Sequence, residues 1–527
     1  TAAGGAAAQQ AADLAAARAR ADDLSAAVAR QAAEIEHLRA STRPAPAYPL
    51  KSRVGVNTNG APLADLIKSR SGFGPLGQPW KSDPALQPKK DADGWPLEDA
   101  SIQLVWNQHG FTGDYVLTFK GKATVDGFWN VDVTGLTHDS ATNRSRANVR
   151  LRPKGASTGD LAESYLNFRN TSGGVRDVVL VRKEHEGHYL NPDWVKLHAP
   201  FGVLRSMDLQ KTNVSTWVTS WATRPRVEQA CYGATGYPLE VLVDIANATG
   251  SAPYVCLPIW ADDDYCRRAF ELVKARLDPK LPAYVESGNE NWNGGVPPVK
   301  DYWIKACTTN GVFDGNLYNS GRLPMLQASR RAAIGLEVFK DQPGRLRNVL
   351  GAQVANHWRD GGAIKWLDAE TKTKLRDRFY AVGLAIYAPA KTDRAAMLPL
   401  GTAEEVAAYL MRRVEEPFKA NVTEWVRTTD AEGVRRLLYE CGTEWPEGGE
   451  QRAARAASQG LPAAGEFVTR FLARMAGEVG AEEMLWNSSV DDWSGGKPYG
   501  LTYDPRRLDG PKYRAAVDAA ALYRPTN

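Results

Sequence analysis

The sequence predicts an α/β protein: a (β/α)8 TIM barrel with an inserted all-β sandwich domain after strand 1 and an N-terminal Ala-rich helix. From residue 201 onward, apolar strands alternate with amphipathic helices in seven units, and an isolated strand at 53–57 makes the eighth. Between these parts, residues 101–183 form short alternating segments separated by Gly, Asn, Asp and Ser. Strands of this length and spacing are typical of a β-sandwich.

The size and charge of the chain limit what it can do. Its 527 residues are enough for two or three domains, and 65 basic against 61 acidic residues leave a net charge of +4. We find no concentrated basic patch of the kind that binds nucleic acid and no apolar run long enough to span a membrane. The five cysteines form no zinc-type cluster, so we expect no metal and no cofactor.

Residues 1–40 are rich in alanine and contain no aromatic residue. Their larger apolar residues fall on alternating spacings of three and four, which predicts a short coiled-coil helix. Two interpretations stay open: a helix for self-association or spacing, with an upstream membrane anchor, or a helix that docks on its own body. Residues 41–50 are a proline-broken linker. No signal peptide is recognisable in the sequence, and we expect a periplasmic or secreted bacterial protein, either free or tethered to a membrane.

The domain boundaries follow from these patterns. We predict the barrel over 51–68 and 190–527 and the inserted domain over 95–185. The inserted domain is interpreted either as a carbohydrate-binding module, with Trp106, Trp129 and His109 as contacts, or as a wall that extends the cleft of the barrel. An open doubly wound sheet is the alternative to a barrel, but no Gly-rich phosphate loop follows any strand.

Aromatic and polar residues recur where the predicted strands end. In a (β/α)8 barrel these ends meet at one rim, which is where active sites form. A sugar ring presents an apolar C–H face and a belt of hydroxyls, so aromatic platforms mixed with polar side chains predict a glycan cleft. The predicted substrate-binding residues are Arg205, Asp208, Asn213, Trp217, Trp260, Asn289, Trp292, His357, Trp358, Tyr387, Trp445, Trp486 and Trp493.

Two glutamates are the candidate catalytic residues. Glu290 lies in ESGNENWN after the fourth strand, and Glu440 lies in LLYECGTEW at the end of the seventh. A carboxylate at the end of an apolar strand is costly without a purpose. Cleavage of a glycosidic bond needs two such groups, one to protonate the leaving oxygen and one to attack the anomeric carbon or to activate water. Glu286, Glu444 and Asp208 are the competing carboxylates.

The motifs SGNENWN and YECG, with Arg205 on the second strand, resemble those of the clan A glycoside hydrolases, a large group of retaining (β/α)8 enzymes. VESGNENWN beside LRSMD is also similar to secreted bacterial proteins often labelled cellulose-binding. The resemblance implies Glu290 as general acid/base and Glu440 as nucleophile. It further implies that Asn289 binds the sugar 2-hydroxyl and that Arg205 and Tyr387 orient Glu440. Trp486 would be the floor under the sugar.

We therefore expect a retaining glycoside hydrolase that cuts internally in a β-linked polysaccharide, either a bacterial exopolysaccharide or a cellulose-like glycan. Several aromatic residues along the rim favour an internal cut, because a long chain that occupies several subsites needs several platforms. Two alternatives stay open. A non-catalytic protein for glycan binding or assembly would use the same scaffold, and a transglycosylase would use the same two glutamates.

Overall fold

A computed structural model describes residues 48–155, 162–309, 321–388, 394–445, 451–493 and 497–525. The helix predicted over 1–40 lies outside these residues, as does most of the linker predicted over 41–50. Among the described residues, no helix is both long and apolar enough to cross a membrane. Cys231, Cys256, Cys266 and Cys441 are free thiols.

Eight parallel strands close into a barrel, which confirms the predicted fold. Each strand pairs with the next in chain order, and the eighth pairs with the first. Strands are numbered here along the whole chain. The barrel strands are β1 Val54–Asn57, β10 Val203–Arg205, β11 Ala252–Leu257, β12 Ala283–Ser287, β13 Leu346–Gly351, β14 Ala381–Tyr387, β15 Arg435–Gly442 and β16 Glu483–Trp486.

Two antiparallel four-stranded sheets lie between the first and second barrel strands, in the orders β2-β3-β8-β5 and β6-β7-β4-β9. Apolar residues of both sheets share one buried core, as expected for a sandwich. The strands are β2 Phe73–Gly74, β3 Ala100–Gln108, β4 Gly113–Lys120, β5 Thr124–Trp129, β6 Val131–Asp139, β7 Arg144–Leu151, β8 Ala162–Arg169 and β9 Arg176–Arg182.

Helices surround the barrel and cover the outward faces of its strands. Their apolar faces and the outward strand residues form the largest buried core of the protein. The α-helices span Pro192–His198, Leu239–Thr249, Asp263–Arg276, Pro297–Thr309, Arg322–Val338, His357–Thr371, Leu375–Arg378, Arg394–Met397, Ala403–Val414, Ala420–Glu432, Arg452–Ser458, Pro462–Arg474 and Pro511–Leu522. Helix Ala403–Val414 begins with a capping box between Thr402 and Glu405.

Alternate side chains of each strand point into the barrel, because successive strand side chains point to opposite faces. Tyr254, Tyr284 and Leu485 belong to a small inner core, while Val255, Val285 and Met484 pack outward against the helices. Near the carboxyl ends of the strands the inward positions are polar instead of apolar. The strand pattern therefore collects polar side chains at one end of the barrel.

Candidate active site

Arg205 is the centre of the polar cluster at the carboxyl ends of the strands. It is the last residue of β10 and is fully buried. Its Nη1 atom donates to Oε1 of Glu440 at 2.9 Å, and its Nη2 atom donates to Oε2 of Glu286 at 2.9 Å. The guanidinium also lies 4.7 Å from the ring centre of Tyr439. One buried cation thus compensates two buried carboxylates.

Two amide side chains complete the contacts of Arg205. Asn57 at the end of β1 accepts from Nη1 at 3.0 Å, and Asn289 accepts from Nη2 at 2.7 Å. Asn289 in turn donates through Nδ2 to Oδ1 of Asn213 at 2.9 Å. Both ends of the Asn289 amide are therefore held in one orientation by hydrogen bonds.

A β-bulge turns Glu440 into the barrel. Leu384 of β14 pairs with Leu438 and the next residue, Ala385, pairs with Glu440, so Tyr439 is the extra residue in β15. Tyr439 joins the inner core and Cys441 the outer core, which leaves Tyr439 and Glu440 as two successive inward residues. Without the bulge, Glu440 would face the helices.

Tyr387 is the second donor to Glu440. Its hydroxyl donates to Oε2 at 2.8 Å and accepts from Nδ2 of Asn487 at 2.9 Å. Each oxygen of Glu440 thus receives one donor, with a full positive charge on one side. This set of partners favours an ionised, oriented carboxylate.

Glu286 lies deeper in the barrel, two positions along β12 from the inward Tyr284. It is buried and accepts from Arg205 and from the hydroxyl of Tyr254, the latter at 2.9 Å. Burial raises the pKa of Glu286 above its usual value. Because it has little access to solvent, this carboxylate holds Arg205 in place and does not face a substrate.

Glu290 lies beyond β12 in a tight turn. The turn passes through Gly288 at φ +74° and brings Glu290 itself to φ +48°, a left-handed conformation that is unusual for a residue with a side chain. Its Oε2 atom accepts from Nδ2 of Asn293 at 2.7 Å. Burial, together with the negative charge of Glu440, raises the pKa of Glu290 to about 7. The two carboxyl groups therefore lie within electrostatic reach of each other.

This arrangement joins two carboxyl groups of different character. Glu440 has an arginine and a tyrosine as donors, whereas Glu290 remains largely protonated until neutral pH. Their strands, β12 and β15, are separated by two strands, β13 and β14, on one path around the barrel and by four strands on the other, so the two glutamates approach the mouth from different sides. A carboxyl group with a raised pKa beside a carboxylate that accepts from an arginine and a tyrosine suits a pair of one acid and one anion.

The predicted aromatic platforms differ in how much surface they offer. Trp358 is 78% exposed and Trp217 is 38% exposed. Three more tryptophans are half-buried: Trp260, Trp292 and Trp493. Asp208, in the loop after β10, lines an open cavity between the barrel and the inserted domain. Surrounding protein and the charge of Glu440 raise its pKa.

Three predicted substrate-binding residues face away from the mouth. Trp486 is fully buried among the outward residues of the barrel, with its ring edge-on to Phe471 of helix Pro462–Arg474 at 6.0 Å. Trp445 is buried in the same outer core. His357 bonds Thr428 at 2.7 Å and packs edge-on against Trp425, between two helices. The buried Trp445 and Trp486 offer no surface to a sugar, whereas His357 is half-buried and its ring is held between the two helices.

Five other residues at the site were not predicted: Asn57, Tyr254, Asn293, Tyr439 and Asn487. Asn57 ends the first strand, as Arg205 ends the second, so its position alone could have identified it. Asn293 follows Glu290 by three residues within the quoted motif. Asn487 takes the inward position that the prediction gave to Trp486, because the strand alternation places Glu483 and Leu485 inside. No sequence signal marks Tyr254.

Comparison with protein families and with curated proteins gives no match. Among solved structures, the chain is similar to the CBM22-1 and GH10 modules of endo-1,4-β-D-xylanase 10B from Clostridium thermocellum, complexed with xylohexaose. The identity is 11%, the coverage is 87% of this chain and 97% of that chain, and the TM-score is 0.36. The GH53 catalytic domain of Ignisphaera aggregans is 12% identical over 64% of this chain and 90% of that chain, with a TM-score of 0.34.

The similar structures also include enzymes of a different kind. The carboxyl transferase domain of Rhizobium etli pyruvate carboxylase is 10% identical over 63% of this chain and 44% of that chain, with a TM-score of 0.25. Fold does not determine function, so the reaction has to be argued from the residues at the site.

Proposed function

We propose that this protein is a retaining glycoside hydrolase that cuts internally in a β-linked polysaccharide. The observation that carries the proposal is the pairing of Glu290, whose pKa is raised to about 7, with Glu440, which Arg205 and Tyr387 hold as an anion. Glycosidases that retain the anomeric configuration use one carboxylic acid and one carboxylate in these roles. The clan A motifs of the sequence point to the same assignment.

The reaction proceeds in two displacements. Glu440 attacks the anomeric carbon while the bond to the leaving oxygen breaks and Glu290 gives that oxygen its proton. The product of this step is a glycosyl ester on Glu440. Glu290, now a carboxylate, takes a proton from water, and the water oxygen replaces Glu440 at the anomeric carbon. Both glutamates return to their starting states.

The surrounding residues fit a substrate with several sugar units. Asn289 is oriented by Arg205 and Asn213 beside the acid, which suits a hydrogen bond to the sugar next to the cut. Trp217, Trp260 and Trp292 retain exposed surface for stacking at neighbouring subsites. A bacterial exopolysaccharide or a cellulose-like glycan, met in the periplasm or outside the cell, is the substrate that we propose.

A panel of β-linked polysaccharides tests the proposal. We expect the wild-type protein to release oligosaccharides of mixed length from at least one of hydroxyethylcellulose, xylan, glucomannan or mixed-linkage β-glucan. Proton NMR of the first product should show the β-anomer, as retention requires. Products longer than any added acceptor, at constant reducing-end count, would identify a transglycosylase. Binding without any turnover would favour the non-catalytic alternative.

The pH dependence of kcat/KM should report the acid role of Glu290. We expect activity to fall as the pH rises through about 7, because the protonated form of Glu290 is the one that works as an acid. Asn293 donates to Glu290, and this bond favours the ionised carboxylate. Asn293→Ala should therefore move the alkaline limb to higher pH. A pH–rate profile on one polysaccharide measures both effects.

The matched control for this variant is Asn213→Ala, which removes a contact to Asn289 but none to Glu290. It should change the rate without moving the alkaline limb. An alkaline limb that stays in place in Asn293→Ala would assign the titration to a group other than Glu290.

A further inference from the structure

A cluster of exposed aromatic rings lies on the inserted domain. Trp106 is 51% exposed, Phe128 is 50% exposed and Trp80 is 48% exposed. Together with the half-buried Trp129 they form what we call the aromatic platform. Large aromatic side chains gathered on a surface of this kind mark an interaction site.

The rings of the platform fix one another in place. Trp80 stacks on Trp129 with ring centres 5.4 Å apart and planes 21° apart, and Trp106 meets Trp129 edge-on at 5.3 Å. The buried Tyr165 supports Phe128 from below, stacked at 5.2 Å. Trp129 has φ +65°, a backbone conformation that a tryptophan adopts only when its surroundings impose it. The platform is thus organised before anything binds.

One ring of the platform lines a cavity that reaches loops after the barrel strands. An open cavity of about 520 Å³ runs between the inserted domain and the barrel, and Trp106 forms part of its wall. On the barrel side the wall includes Asp208 after β10 and Asp491 and Asp492 after β16. Asp208 follows Arg205, the last residue of β10, by three residues, so the cavity reaches the loop that leaves the candidate catalytic centre.

The lining of the cavity indicates what chemistry it accepts. Its charged groups are of both signs and nearly balanced: Arg70, Arg182, Lys211, Asp193, Asp208, Asp491 and Asp492. Because the two signs nearly balance, the lining has no excess of positive charge that would favour a polyanion. Uncharged hydrogen-bonding groups such as Gln103 lie between them. Flat aromatic rings beside mixed polar groups suit a neutral sugar chain.

We infer that the aromatic platform and the cavity together form a distal binding site for the same neutral glycan chain that reaches Glu290 and Glu440. The inference rests on the proposed function for the identity of the chain. The inserted domain is then part of the substrate cleft, and Trp106 and Trp80 are its sugar platforms. A long polysaccharide would occupy both the mouth and the platform, whereas a short oligosaccharide would occupy the mouth alone.

Affinity electrophoresis tests this inference without relying on catalysis. The parent is the full chain with Glu290→Gln, and the probes are hydroxyethylcellulose, xylan, glucomannan and mixed-linkage β-glucan in native gels. We expect at least one polysaccharide to retard the parent, and Trp80→Ala with Trp106→Ala to weaken that retardation about tenfold. The matched control is Tyr189→Ala, which removes an aromatic of similar exposure, 53%, that does not line the cavity. Thermal unfolding confirms that each variant is folded.

The outcomes separate the two proposals. Retardation that depends on Trp80 and Trp106, with no turnover by the wild-type protein, would support the distal site and overturn the proposed hydrolase. Turnover by the wild type with equal retardation of the parent and the tryptophan variant would overturn the distal site alone. Absence of retardation by all four polysaccharides would also overturn the distal site, as would an equal loss in Tyr189→Ala.

Discussion

Replacement of Glu440 by glutamine is expected to lower turnover about a thousandfold or more while leaving the protein folded. Glutamine preserves the shape of the side chain. Its amide oxygen can still accept from Arg205, and its NH2 group can donate to the hydroxyl oxygen of Tyr387, at the positions where the two carboxylate oxygens lie 2.9 and 2.8 Å from these partners. The amide, however, cannot form the glycosyl ester. The loss should therefore fall on kcat, with polysaccharide binding retained.

A covalent label identifies the nucleophile directly. A 2-fluoro glycoside with a good leaving group forms the glycosyl ester but hydrolyses slowly, so the labelled peptide should contain Glu440. The matched control is Glu483→Gln, because Glu483 is also buried and bound by an arginine and two tyrosines, at the opposite end of the barrel. The folded Glu483→Gln variant should have the same turnover rate as the wild-type protein. A label on Glu286 or Glu290 would reassign the nucleophile.

The barrel was predictable because its signals are local. From residue 201 onward each strand is a short apolar run followed by an amphipathic helix, and seven such units together with the isolated first strand leave few topologies open. The structure confirms the parallel closed barrel and places two antiparallel sheets between its first two strands. The sequence contains no comparable signal for the distances between side chains at the mouth.

The site was only partly predictable, because inward and outward residues differ by one position in a strand. Arg205, Asn289 and Tyr387 were predicted from the ends of β10, β12 and β14. In the structure they lie in one hydrogen-bonded cluster with Glu440. At β16 the predicted aromatic, Trp486, points outward and Asn487 points inward.

The bulge in β15 shows why this alternation cannot be followed by counting alone. A regular strand that has Leu437 inside would have Glu440 outside, yet Tyr439 and Glu440 both face inward. A bulge is a property of the pairing between two strands and leaves no clear trace in one of them. The buried Arg205 stabilises both inward residues. Its guanidinium lies against the ring of Tyr439 and donates to the carboxylate of Glu440.

Two buried arginines mark the two ends of the barrel interior. Arg205 lies at the carboxyl ends of the strands with Glu286 and Glu440, and Arg347 lies near the amino ends with Glu483. Both are almost completely buried. Both arginines stabilise buried carboxylates. Only Arg205 contacts a carboxylate, Glu440, to which we assign a role in the proposed reaction. The two positions therefore allow stability and catalysis to be separated by experiment.

Arg205→Met is expected to cost about 3–5 kcal/mol of unfolding free energy at pH 8, because it leaves Glu286 and Glu440 buried without a cation. Burial already raises the folded-state pKa of Glu286 and Arg205 opposes that shift, so without Arg205 this pKa should rise further above the unfolded value. The variant then loses stability as the pH rises above the unfolded pKa, so its deficit relative to the wild type should shrink at pH 5. Urea unfolding at the two pH values measures this difference.

Measurement of kcat distinguishes the role of Arg205 from that of Arg347. The folded fraction of Arg205→Met should lose about a hundredfold or more in kcat, since Glu440 and Asn289 both lose the donor that orients them. Arg347→Met removes the partner of Glu483 and should lose stability to a similar degree while the folded protein keeps its kcat. Equal turnover per folded molecule in the two variants would mean that Arg205 serves only the fold. A pH-independent deficit in Arg205→Met would mean that its two carboxylates find other partners.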